Sequence, residues 1–133
     1  MNKSMVLHRD MERSAFADIL SDIDGVCPGF LAAVFYDGEG ETIDYHSYLE
    51  PFDTRLAAAH IGVVAASAAR RFEALSLGQV EQIEIHAEYL DSVTVSMGDD
   101  LYLSVIVTSG HLNQLIYRKL IEVIRDIRKE ING

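Results

Sequence analysis

An α+β fold, with helices packed on both faces of an antiparallel sheet, follows from three features of the sequence. The elements read helix, two strands, helix, three strands, helix. The turns between consecutive strands are too short for crossovers, so neighbouring strands must run antiparallel. The middle helix carries no formal charge from Leu56 to Ala69 (LAAAHIGVVAASAA), in a chain of net charge -10. A helix that is apolar all round has to be covered on more than one side.

Asp10 is positioned to cap the first helix, which runs to about Asp24 with Ala15, Phe16, Ile19, Leu20 and Ile23 as its apolar stripe. Gly25 ends that helix, and Pro28-Gly29 turns the chain. Phe30 to Tyr36 is apolar on both faces and reads as a central strand. Asp37-Gly38-Glu39-Gly40 then leads into Thr42 to Tyr48, whose mixed polarity suits an edge strand.

Pro51 breaks the pattern, Asp53 opens the uncharged helix, and Gly78 closes it after about Leu75. Three strands follow, at Val80 to Ala87, Ser92 to Met97 and Leu101 to Val107, with Gly98-Asp99-Asp100 between the last two. LYLSVIV is again nearly continuous and therefore central. The final helix has a broad apolar face of Leu112, Leu115, Ile116, Leu120, Val123, Ile124, Ile127 and Ile131. The order is αββαβββα, a single domain over residues 1–133. Three helices cannot crowd onto one face of five strands, so the first and third are expected on one face and the second on the other.

Helical phase divides the uncharged helix in two. At about 100° per residue, Ala57, Ile61, Val64, Ala68, Phe72 and Leu75 form the expected sheet-facing stripe. The opposite face, Arg55, Ala59, Gly62, Ala66, Arg70 and Glu73, is small in the middle and charged at its ends, so another helix could approach it closely. Two antiparallel copies centred near Val63 and Val64 would set Arg55 of one beside Glu73 of the other. The predicted dimer interface is therefore Arg55, Ala59, Gly62, Val63, Ala66, Arg70 and Glu73.

With 133 residues, 49% hydrophobic and 24% charged, the chain has enough apolar material for a core. Its 21 acidic against 11 basic residues argue against nucleic acid and anionic membranes as partners. Cys27 is the only cysteine, which excludes an intrachain disulfide and a structural zinc site made of cysteines alone. Neither an apolar leader core nor a bilayer-length apolar run occurs, so the expected location is the cytoplasm, without membrane insertion.

Within this order of elements, several local signatures resemble the Roadblock/LC7 family, and within it the bacterial MglB-like branch. They are Gly25-Val26 and Gly29 before an apolar strand, Tyr36-Asp37-Gly38 at the hairpin, an Ala-rich helix, Leu77-Gly78 before the third strand, and Leu101 to Val107 leading through Gly110 into an amphipathic helix. The likeness spans about Met11 to Ile131. It implies strand order 2-1-5-4-3, a dimer, and regulation of small Ras-like GTPases, in the MglB-like branch as a GTPase-activating partner. Two stretches depart from the family pattern: Cys27-Pro28 lengthens the first turn, and His111-Leu112-Asn113-Gln114 replaces an Asn-Leu-Gly run.

No chemical motif competes with this reading. Glu84, His86 and Glu88 alternate along one strand face, but a metal would need a second anchoring segment. Asp44, His46 and Ser47 have triad residue types, yet adjacent strand positions point to opposite faces. Gly38-Glu39-Gly40 is too short and too acidic to cradle phosphate. Cys27 reads as a turn-packing thiol, and His60 as a partly buried histidine on the helix flank. Arg70 and Arg71 suit a helix C-terminus without acting as an arginine finger.

The expected function is a homodimeric, non-catalytic regulator that docks a small Ras-like GTPase, with no cofactor, no metal and no enzymatic activity of its own. The alternatives are a dimeric scaffold subunit and a profilin-like or PAS-like ligand sensor. The sensor would need a cavity opened by Ala32, Ala33 and Ala87.

Overall fold

The computed structural model describes residues 5–133. Its elements are α1 (Ala15–Asp24), β1 (Phe30–Asp37), β2 (Thr42–Ser47), α2 (Pro51–Ala74), β3 (Gln82–His86), β4 (Leu90–Gly98), β5 (Leu101–Thr108) and α3 (Gln114–Asn132). The five strands form one antiparallel sheet in the order β2-β1-β5-β4-β3. Order, topology and the placement of the helices match the sequence-based expectation.

The apolar strands β1 and β5 lie inside the sheet and feed two cores. On one face Phe30, Ala33, Phe35, Leu103, Val105 and Val107 meet Leu20 and Ile23 of α1 and Ile116, Leu120, Val123 and Ile127 of α3. On the other, Leu31, Ala32, Val34, Tyr36, Tyr45 and Ile106 meet Ala58 of α2. A bulge between Phe30 and Ala32 lets consecutive Leu31 and Ala32 serve the same face. Burial of these apolar side chains is the main driving force for both layers.

Several boundaries shift for identifiable reasons. Ser14, not Asp10, caps α1: its hydroxyl accepts the Phe16 amide at 3.1 Å. Ala17 is buried in the stripe where Ala15 was expected, and Ala15 is exposed. Pro51 occupies the first turn of α2 instead of ending the preceding pattern, because its missing N–H costs nothing there. At the other end Ser76 (φ 57°), two residues ahead of Gly78, takes the left-handed conformation that ends the helix. The Leu77 amide reaches Phe72 O and the Ser76 amide reaches Glu73 O, closing the helix in a Schellman motif. Strand β3 is shorter than Val80 to Ala87, and Glu88 falls in the turn beyond it.

The edge strand β2 is more buried than an open edge would be. Asp44, Tyr45, His46 and Ser47 are all buried, because the segment ahead of α1 lies along them. The His8 amide donates to Ser47 O at 3.0 Å, and the Arg9 guanidinium donates to Tyr45 O and to Asp44, each at 2.7 Å. The Ser14 hydroxyl also donates to Asp44. One edge of the sheet is thereby covered.

Candidate functional site

The face of α2 turned to the sheet is not the one helical phase predicted. Thr54, Ala58 and Ala65 are its buried residues, and a Cβ at Gly62 would sit 3.2 Å from Tyr36 Cε2. The expected stripe is split: Val64, Phe72 and Leu75 are exposed, whereas Ala57 and Ile61 pack on the core and Ala68 is half-buried. The helix is turned by about a quarter revolution from the predicted phase.

The sheet explains this rotation. Tyr36, Tyr45 and Tyr102 rise from the strands beneath α2, with Tyr36 and Tyr102 stacked at 5.8 Å between ring centroids. Tyr36 is held by its hydroxyl, 2.8 Å from Ser104 Oγ, which lies 2.7 Å from Thr94 Oγ1. These rings fill the space between the layers, so the helix must offer Ala and Gly there and send its branched residues outward.

The outward side is apolar and unpartnered. Among the described residues, seven of the fourteen exposed large hydrophobics fall between positions 52 and 77: Phe52, Leu56, Val63, Val64, Phe72, Leu75 and Leu77. Concentration on one helix and its C-terminal turn distinguishes them from the scattered apolar residues of an ordinary surface. No helix is long and apolar enough to cross a membrane among the described residues.

The residues predicted for the dimer interface divide accordingly. Arg55 is engaged within the chain, its Nη1 and Nη2 donating to the two Asp10 carboxylate oxygens at 2.6 and 2.7 Å. Its guanidinium also lies over the Tyr45 ring, 5.5 Å from the centroid. Gly62 spends its small size on Tyr36. Val63 is 67% exposed, and Arg70 and Glu73 are exposed at the helix end. Ala59 and Ala66 are half-buried, and with Gly62, Val63 and Arg70 they line a groove of about 330 Å³ against the β1–β2 hairpin. The exposed Leu56, and Val64, which phase assigned to the sheet-facing stripe, complete this surface.

The remaining candidates resolve into structural roles. Asp44 and His46 face α1: Asp44 pairs with Arg9, and His46 Nε2 lies 3.0 Å from Asp24 Oδ2. Ser47 turns the other way, 2.7 Å from Thr54 Oγ1, so no triad forms. Burial would raise the Asp44 pKa, but hydrogen bonds from Ser14 and Arg9 outweigh it and hold the carboxyl below its ordinary range. Asp37 Oδ1 accepts the Glu39 and Glu41 amides, occupying donors of the turn considered for phosphate. His60 is exposed rather than partly buried, and so are Arg70 and Arg71.

Cys27 is buried, its Sγ 3.7 Å from His111 O, and burial pushes the thiol pKa up, against reactivity. A Cβ on Gly29 would overlap the His111 side chain. The two stretches that depart from the family pattern therefore touch, one packing on the other.

His86 and Glu84 do gather, with Asp91 from β4 in place of Glu88. His86 Nε2 lies 3.0 Å from Glu84 Oε1, and Nδ1 lies 3.3 Å from Asp91 Oδ2. Each ring nitrogen faces a different carboxylate, an ion-pair arrangement rather than convergence on one cation. The sensor reading finds little room: Ala32 and Ala33 are fully buried in opposite cores, Ala87 is exposed, and the gap between α2 and β3–β4 is about 40 Å³. That is space for a few waters.

With a 2-1-5-4-3 sheet, a helix pair on one face and a single long helix on the other, the architecture can be set beside solved structures. A Roadblock/LC7 domain from Streptomyces avermitilis superposes with a TM-score of 0.81 at 15% identity, covering 90% of this chain and 100% of that one. The chain has the Roadblock/LC7 fold. Myxococcus xanthus MglB shares it at a TM-score of 0.78 and 11% identity, over 92% of this chain and 98% of that one. The gliding protein MglB from Thermus thermophilus does so at 0.71 and 13%, over 93% of each. No protein-family model and no curated protein matches the sequence. The Roadblock/LC7 likeness is thus carried by elements and packing at sequence identities where individual residues have diverged.

Proposed function

We propose that this chain is a homodimeric, non-catalytic regulator, located in the cytoplasm, that docks a small Ras-like GTPase. The observation that carries the reading is the apolar outer face of α2, on a fold shared with Roadblock/LC7 and MglB proteins. A second copy would pair through that face, centred on Leu56, Val63 and Val64, with Ala59 and Ala66 on its flank and Arg70 and Glu73 at its rim. Arg55, which pairs with Asp10, and Gly62, which lies against Tyr36, would flank that pairing from within the chain's own packing. The GTPase would dock beside the paired helices and adjoining strands, binding better in one nucleotide state. Differential affinity is all that such a regulator needs to bias a two-state switch.

Light scattering on the purified chain tests the dimer, and capture of GTP-loaded against GDP-loaded Ras-like proteins tests the regulation. Preference for one nucleotide state supports the regulator. Equal capture of both states would point to a dimeric scaffold, and a monomer would sink the pairing through α2.

A further inference from the structure

The outer strand β3 is fastened by a cluster drawn from two strands, with a third element beside it. His86 stands between Glu84 on its own strand and Asp91 across the hairpin, at 3.0 and 3.3 Å, one carboxylate to each ring nitrogen. Asp91 is nearly buried, and its Oδ2 also accepts the Gly110 amide at 2.9 Å, in the turn ahead of α3. Its Oδ1 is buried without a hydrogen-bond partner. From α3, Tyr117 faces Glu84, and its hydroxyl pKa is pushed up to about 12 by burial first and then by the Glu84 carboxylate. Glu88 stands exposed in the β3–β4 turn, and among the described residues no lysine or arginine pairs with Glu84 or Asp91.

We propose that Glu84, His86 and Asp91 form a proton-operated latch that fastens β3 to β4 and to the turn before α3. An imidazolium is held by both carboxylates at once, hydrogen-bonded to Glu84 and ion-paired with Asp91, whereas a neutral imidazole carries no charge with which to hold Asp91. Protonation therefore closes the latch, and its loss frees an end of the β3–β4 hairpin. The neighbouring carboxylates, Glu84 first and then Asp91, raise the His86 pKa above 6.5. For a group whose pKa is raised by folding, the contribution is complete below the unfolded value and disappears as pH rises through the folded one. The latch opens on the alkaline side of 6.5, and this holds whether or not the chain docks a GTPase.

The test is a proton titration of the His86 ring by NMR on the full chain, alongside amide exchange corrected for its intrinsic pH dependence. The Ala87 amide, which donates to Leu90 O, and the Gly110 amide report on the two ends. Protection at both should fall across the His86 midpoint, by about tenfold for each unit that the midpoint lies above 6.5. Glu84→Gln should lower the midpoint, and His86→Gln should make protection independent of pH in this range. A midpoint at or below 6.5, protection that ignores the titration, or an unchanged pH dependence in His86→Gln would each overturn the latch.

Discussion

Asp10 illustrates how a residue's role depends on which atoms reach it. Its sequence position suggested a helix cap, yet it binds Arg55 of α2 and accepts the Tyr45 hydroxyl at 2.8 Å. Hydrogen bonds from Arg55 first, then Tyr45, lower its pKa from 3.8 to about 2. A carboxyl depressed by folding contributes stability that is present above 3.8 and lost as pH falls towards 2. Protection of the His8 amide, whose N–H binds β2, should fall in that window once exchange is corrected for its intrinsic pH dependence, and Arg55→Ala should move the onset to higher pH. Asp44 is the stricter case, because its carboxylate is fully buried with Arg9 and the Ser14 hydroxyl directed at it. Asp44→Ala strands a guanidinium and should cost on the order of 3 kcal/mol in chemical denaturation. Neither role was legible beforehand, since both carboxylates find their partners thirty or more positions away.

At the scale of the element, α2 shows where periodicity succeeds and where it stops. The spacing of its apolar residues identifies a helix, but every face of it is apolar or small, so hydrophobicity cannot say which one turns inward. Bulky tyrosines on the sheet decide that, by leaving room for the small Ala58, Gly62 and Ala65 along the middle of the helix. Paired substitutions expose the difference. Val63→Glu should leave the far-ultraviolet circular dichroism intact while converting a dimer to monomer in light scattering. Ala65→Glu places a carboxylate against the sheet and should unfold or severely destabilise the chain. The helix end offers a gain in stability: Ser76 pays for a left-handed conformation that glycine adopts freely, so Ser76→Gly should raise stability by about 0.5–1 kcal/mol in thermal or denaturant unfolding. By contrast α3 was legible from sequence as an amphipathic helix, although it starts at Gln114 after an Asn113 cap, so that Leu112, expected on its apolar face, lies ahead of it. The Asn113 side chain accepts the Ile116 amide at 3.1 Å, and Asn113→Ala should cost about 1 kcal/mol.

The whole molecule is asymmetric in a way that bears on assembly. At the β2 edge the sheet is covered by the segment carrying His8 and Arg9, while β3 forms the opposite edge with alternating half-buried and exposed residues. The layer of α1 and α3 buries most of its apolar residues against the sheet and leaves Leu115, Ile121 and Ile131 of α3 exposed, whereas α2 keeps half of the exposed large hydrophobics among the described residues on its outer side and end. A second copy covering α2 would bury that surface, and its loss on dilution should lower the thermal midpoint with protein concentration. Unfolding monitored over a hundredfold range of concentration would show this dependence for a dimer and none for a monomer.

Alternation and turn chemistry determined the order of elements, the antiparallel sheet and the identity of its central strands, because these depend on neighbours along the chain. Continuous apolar runs at Phe30 to Tyr36 and Leu101 to Val107 could belong only inside a sheet covered on both faces. Tertiary structure alone decided which side of α2 meets the sheet, which carboxylates Arg9, Arg55 and His86 find, and that the turns at Cys27 and His111 touch. Those outcomes rest on the size and charge of side chains far apart in sequence, and the folded chain is what brings them within contact distance.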